Sequence, residues 1–335
     1  MMGHVGTAVW ILVFAVTSLL AVSVTTKPPI PAQYQAEAPE VAANWSAERA
    51  ALGKRLFQER RLSRDGAVAC VDCHRPDLAF SDGRVRSLGV GGRVHRRNAP
   101  ALANIALSGA LGWDGRTTVL EEYVLGPIAN PIAMDLPVDE AVLRLDADPA
   151  YRAAFRAAYG GGPTRERLAL ALAAYHRTLF SVGAPFDRFV AGDETALDES
   201  ARRGMALFGG KAECSACHSG VRFTDDAFHS LGVGEDPGRG AITGRDDEIG
   251  VFKTPSLRDV ARTAPYMHDG SVATLLDVIE LYDRGGNPHR NRDPKLKPLG
   301  LTAREKDDLV AFMEALSGTL IEGAGPVASA SWARR

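Results

Sequence analysis

The chain has 335 residues, 45% of them hydrophobic and 24% charged. That is enough to bury the cores of two ordinary domains, and too mixed for a collagen-like, disordered or multispan membrane protein. Lys and Arg total 39 against 41 Asp and Glu, so the net charge is −2 and no basic field exists to hold a nucleic acid backbone.

In chain order, Gly6 to Val24 (GTAVWILVFAVTSLLAVSV) is an uncharged apolar run of bilayer-spanning length. Residues 1–26 therefore read as an export segment: a signal peptide cut near Ala21-Val22-Ser23, or a retained N-terminal membrane anchor. The Pro-rich KPPIPAQ stretch opens a linker over 27–44. Two domains are expected over 45–187 and 188–322, followed by a frayed, small-residue tail over 323–335.

The four cysteines fall in two identical frames, Cys70-Val-Asp-Cys73-His74 and Cys214-Ser-Ala-Cys217-His218. C-x-x-C-H is the attachment frame of c-type haem. Two thiols on one turn add to the two vinyl groups of one porphyrin, and the adjacent imidazole points at the iron. A redox dithiol needs no following His, and zinc would need two more ligands beside each pair. Two covalent haem c groups are expected, which agrees with export and leaves no cysteine for a disulfide.

The surroundings of the motifs repeat as well. Gly53-Lys-Arg-Leu-Phe57 matches Gly204-Met-Ala-Leu-Phe208, Phe80-Ser-Asp82 matches Phe223-Thr-Asp225, and Ser87-Leu-Gly-Val-Gly91 matches Ser230-Leu-Gly-Val-Gly234. The first copy carries an insertion around Glu59 to Gly66. Each copy is expected to open with an amphipathic helix ending at the haem motif. Arg165 to Leu179 and Ala303 to Leu316 have apolar residues at three-to-four spacing, and strand patterns are scarce. The expected fold is all-α: two cytochrome c-like domains, each around one haem.

Five further motifs join these: RNAP (Arg97 to Pro100), WDGR (Trp113 to Arg116), GPIANP (Gly126 to Pro131), FKTPSLRDV (Phe252 to Val260) and TAPYMHDGSVATL (Thr263 to Leu275). Their order and spacing, from Trp45 to Leu320, resemble the bacterial di-haem cytochrome c peroxidase family, which includes the MauG-type enzymes. The resemblance implies a peroxide-reacting N-terminal haem and a C-terminal haem that relays electrons. It places Trp113 between the haems, Tyr123 and Pro127 in the peroxide pocket, and Asn98, Thr263 and Pro265 around a calcium ion. Tyr282 matches the axial tyrosine of MauG-type members, with Met267 as the weaker candidate. His268 is expected beside the haem rather than on its iron.

The chain also departs from the family. The usual catalytic Glu is Ala133, the usual Gln is Tyr123, and the distal His of resting peroxidases is Val90. Tyr123, Asp135, His95 or a water would have to stand in for the Glu; His95 itself is expected in an exposed loop, and His176 and His289 to be structural or exposed. Three functions follow. The first is a periplasmic peroxidase reducing hydrogen peroxide with electrons from a small cytochrome c or cupredoxin. The second is a MauG-type oxidase of a partner protein, and the third a non-enzymatic di-haem carrier or sensor. Monomer and homodimer both stay open.

Overall fold

The computed structural model describes residues 31–34 and 45–322. The export segment, most of the linker and the tail lie outside the described residues. Among those described, no helix is long and apolar enough to cross a membrane.

Ser46 starts the first long helix, Ala47–Phe57, by accepting the Arg49 amide at 3.2 Å. Its buried stripe of Ala50, Leu52, Gly53, Leu56 and Phe57 packs on the helix Arg165–His176. The second half repeats the arrangement, with Glu199–Gly209 packed on Ala303–Glu314. The repeated glycine has a steric reason at both crossings. A Cβ on Gly53 would collide with the Ala171 carbonyl, and one on Gly204 with the Asp308 carbonyl.

Two separate hydrophobic cores result. The first gathers Leu56, Phe57, Leu62, Ile128, Phe155 and Leu172. The second is built on Leu309 and on Phe208, Phe223 and Phe312, three rings that meet edge to face at centroid distances of 5.2–6.0 Å. Strand among the described residues is confined to two short antiparallel ladders. Phe180–Val182 pairs with Thr319–Ile321, and Phe228–His229 with Phe252–Lys253. The helix Pro185–Val190 runs through the expected division at 187, and its Phe186 packs into the second core.

One expectation needs correction. The opening helices stop short of the motifs instead of ending at them. After Phe57 the chain makes a 3-10 turn at Arg60–Leu62 and a loop before the one-turn helix Cys70–Cys73. The inserted residues are mostly charged and exposed, with only Leu62 and Ser63 turned inward, and Arg60 reaches forward to Asp72 at 2.8 Å. A charged run of this kind has no apolar stripe with which to continue a packed helix.

Candidate functional site

The two C-x-x-C-H frames adopt the same local geometry. His74 N–H donates to the Cys70 carbonyl and His218 N–H to the Cys214 carbonyl, both at 2.9 Å. Each imidazole then turns its Nδ1 to a carbonyl, of Phe80 at 2.8 Å and of Phe223 at 3.1 Å. Both phenylalanines hold the left-handed backbone, at φ +63° and +55°, a conformation rare for bulky side chains. The residue after each pins the loop: Ser81 Oγ donates to the Ala99 carbonyl at 2.9 Å, Thr224 Oγ1 to the Thr254 carbonyl at 2.7 Å. The repeated Phe-Ser/Thr-Asp triplet thus aims the imidazole.

Burial lowers the pKa of His74 and pushes His218 down to about 4. With Nδ1–H donating, each neutral ring keeps its Nε2 lone pair for a metal. All four thiols are free. Burial raises Cys70 and Cys214 to about 12 and Cys73 to about 11. That is opposite to the lowered thiol of an activated redox dithiol.

A cavity of about 510 Å³ lies at the second motif and reaches toward the first half. It is lined by Cys214, Cys217 and His218, and by Tyr282, Met267 and His268. Trp113, Tyr123, Asn98, Thr263 and Pro265 line the same space. Of the residues singled out in the sequence, Cys70, Cys73, His74 and Pro127 lie outside this lining. Leu275, Val278, Ile279 and Tyr282 face it from the helix Leu275–Asp283, the i, i+3, i+4, i+7 spacing of one helical face. Tyr282 lies close enough to Cys214 and Cys217 for their charge to bear on its phenol, although burial dominates and raises its pKa. Trp113 is oriented by its indole N–H, which donates to the Asn98 carbonyl at 2.9 Å. Asn98 is itself held by its amide groups, donating to the carbonyls of Arg84 and His268, both at 2.8 Å.

Two of the three departures from the family pattern meet. Val90 N–H donates to the Ala133 carbonyl at 2.8 Å, and both residues are buried. A Cβ on Gly89 would collide with the Ile132 carbonyl, so Gly89 lets the two strands of chain touch. Tyr123 is half-buried, and the loss of solvent around its phenol pushes its pKa up to about 12. Asp135 is engaged by Arg64 and Arg93, each at 2.9 Å. His95, expected to be exposed, is half-buried, and its Nε2 is sealed from solvent without a partner. Burial lowers its pKa. His176 is structural: it is buried in its helix, with Nδ1 2.7 Å from the Leu172 carbonyl.

Sequence reasoning missed two groupings. Arg97 binds Asp236 through two contacts at 2.7 and 2.8 Å and Asp114 at 2.6 Å, joining the two halves beside the cavity. Burial works to raise Asp236, but Arg97 holds it down at about 2. Arg97 also lies over the Phe252 ring, which stacks on His268 at 3.7 Å. His229 sits between two carboxylates, Nδ1 2.5 Å from Asp293 and Nε2 3.2 Å from Asp225. RNAP pointed to Arg97, and Asp225 belongs to a repeated triplet, but no local pattern announces their distant partners.

These residues fit two covalent haems. Each frame presents two free thiols and an imidazole with its Nε2 lone pair available, and the second adjoins a cavity within the 300–1,000 Å³ range typical of ligand pockets. The sealed, unpartnered Nε2 atoms of His268 and His95 fit polar groups that the protein alone does not supply.

The family model for di-haem cytochrome c peroxidase matches residues 47–195. The methylamine utilization protein MauG of Methylorubrum extorquens is 46% identical over 80% of this chain and 78% of its own length. A cytochrome-c peroxidase of Denitromonas iodatirespirans is 39% identical over 82% of each. The chain belongs to the di-haem cytochrome c peroxidase family. Membership places it among the oxidoreductases and gives it two c-type haems, in agreement with its two attachment frames. Among solved structures of the family, a MauG-like protein associated with microbial copper homeostasis matches with a TM-score of 0.77 and 35% identity. That match covers 87% of this chain and 93% of the other. A di-haem peroxidase from Burkholderia thailandensis shares the fold, with a TM-score of 0.70 at 23% identity over 81% of this chain and 86% of its own.

Proposed function

We propose that this protein reduces hydrogen peroxide to water outside the cytoplasmic membrane, taking electrons from a small cytochrome c or cupredoxin. It does so with two cytochrome c-like domains, divided near residue 187, each holding one haem. The observation that carries the reading is the single cavity in which the second frame and Trp113 meet. Peroxide takes up two electrons and two protons to give two waters, and the bound haems supply the redox chemistry. Cys70, Cys73 and His74 hold the first haem, and Cys214, Cys217 and His218 the second. Electrons enter at the second frame. Trp113, fixed by Asn98, fills the gap between the halves with a polarisable ring. Asn98, Thr263 and Pro265 offer oxygen ligands to one calcium ion, hard-cation chemistry that suits an amide oxygen and backbone carbonyls. Near the first haem, Pro127 would shape the pocket wall and Val90, which has no ligand atom, would leave a bound iron open to peroxide; Tyr123, whose ring lies beside Gly112 next to Trp113, is the proton-bearing group offered by the cavity.

A second reading is favoured by Tyr282, whose phenol reaches the second frame: a MauG-type oxidase acting on a partner protein. A tyrosinate ligand stabilises ferric and higher states, whereas a Met such as Met267 does the reverse. The test is steady-state oxidation of a reduced small cytochrome c by peroxide, with wild type and Trp113→Phe. Rapid donor oxidation that slows in the variant supports the peroxidase. Peroxide consumption without donor oxidation favours the MauG-type reading, and no reaction at all leaves an electron carrier.

A further inference from the structure

Among the described residues, Tyr175 is the tyrosine whose contacts join the first haem frame to a surface carboxylate. It is 2% exposed on the helix Arg165–His176. Its ring meets that of Phe57 edge to face at 5.2 Å, and Phe57 lies 6.5 Å from His74. The charge of Cys70 also bears on the phenol, while His74 is reached through Phe57. On the other side its hydroxyl donates to Glu322 Oε2 at 2.6 Å. Glu322 pairs with Lys54 at 3.2 Å, and both side chains are partly exposed.

We propose that Tyr175 and Glu322 form an exit for oxidising equivalents from the first haem to a small-molecule one-electron reductant, used when peroxide arrives without the small redox-protein donor. The proposal rests on the reading of the first frame as the peroxide-reacting haem. Peroxide leaves oxidising equivalents on that haem. One electron passes from the phenol of Tyr175 to the haem, the phenol O–H bond breaks, and the proton bonds to the Glu322 carboxylate. Tyr175 is left as a neutral radical, and the haem is reduced by one equivalent. An external one-electron reductant at the Lys54–Glu322 surface restores the phenol, with the proton returning from Glu322.

The proton acceptor is essential to the argument. Burial and the Glu322 hydrogen bond both raise the Tyr175 pKa, so the phenol does not ionise in advance. Loss of its electron alone would strand a strongly acidic cation in a core. A carboxylate already in hydrogen-bond contact removes that barrier. Tyr151 provides an internal control. It also donates to a carboxylate, Glu59 at 2.8 Å, but its ring is covered by the guanidinium groups of Arg55 and Arg61 and not by the Phe57–His74 pair.

The test uses full-length holoprotein with both haems attached, frozen after one equivalent of peroxide without donor, and read by EPR. Wild type should give a tyrosyl signal that narrows when the protein carries ring-deuterated tyrosine. Tyr175→Phe should lose it, and Tyr151→Phe should keep it. Glu322→Gln keeps a hydrogen-bond partner but not a base, and should slow radical formation about a hundredfold. A signal that survives Tyr175→Phe, or forms as fast in Glu322→Gln as in wild type, overturns the proposal. So does a wild-type haem spectrum that responds to peroxide while no tyrosyl signal forms. Should Tyr175→Phe fail to fold, Glu322→Gln decides alone. A haem spectrum unmoved by peroxide would sink the peroxidase reading together with this one.

Discussion

Replacing Ala133 with glutamate should speed the reaction with peroxide and weaken the fold. Ala133 is 4% exposed within the first core, and its carbonyl is already committed to Val90 N–H at 2.8 Å. The new side chain therefore enters packed surroundings, where overfilling costs about 1–3 kcal/mol. For a chain of this size that corresponds to a fall in melting temperature of roughly 4 °C at the upper end. Burial would raise the pKa of the new carboxyl toward neutrality, the range in which a group both takes and gives protons effectively. General acid–base assistance is worth about a hundred- to ten-thousandfold. Stopped-flow absorption at the Soret band, with peroxide in excess, measures the gain, and calorimetry measures the loss. A wild type that already reacts fast and gains nothing from the glutamate would refute the reasoning, and Tyr123 or His95 would then be tested as the proton carrier.

Other outcomes follow from the same geometry. Tyr282→Phe should alter the low-spin EPR signal of the second haem and raise its potential, since an anionic donor is lost; an unchanged spectrum would pass the position to Met267 or His268. Gly204→Ala should destabilise by about 1–3 kcal/mol, because its Cβ meets the Asp308 backbone, which cannot yield. Gly209→Ala in the same helix meets nothing within 4 Å and should be neutral or stabilising by about 0.5 kcal/mol; thermal melts compare the two. Asp236 has its folded pKa lowered to about 2 from 3.8, so its contribution is present above about pH 4 and lost as pH falls toward 2. Asp236→Asn should therefore flatten acid unfolding in that window and cost about 1 kcal/mol at neutral pH after solvent screening. Urea melts at a series of pH values check both.

What the sequence made legible was whatever repeats or sits in a short frame. The C-x-x-C-H spacing announced the two haem frames, and the Gly53/Gly204 and Phe80/Phe223 matches announced a duplicated module, because those devices are local and occur twice; that they serve as helix crossings and imidazole anchors came only with the fold. The three-to-four apolar spacing anticipated Arg165–His176 and Ala303–Glu314, each two to three residues longer in pattern than in structure, since end residues lose the hydrogen bonds that define a helix. Long-range pairings left no such trace. Arg97 meets Asp236 across 139 positions, and Tyr175 meets Glu322 across 147. His95 looked exposed because three arginines surround it in sequence; the fold instead turns its ring inward while Arg93 and Arg96 face out and Arg97 turns in to Asp114 and Asp236.

The central claim is that one chain carries two haems that jointly accept the oxidising power of peroxide. Absorption and EPR spectra of the purified holoprotein, before and after one equivalent of peroxide, test it most directly. The account predicts two distinct haem signals beforehand, and the loss of the open-haem signal with perturbation of the second afterwards. Spectra that stay unchanged after peroxide would contradict it.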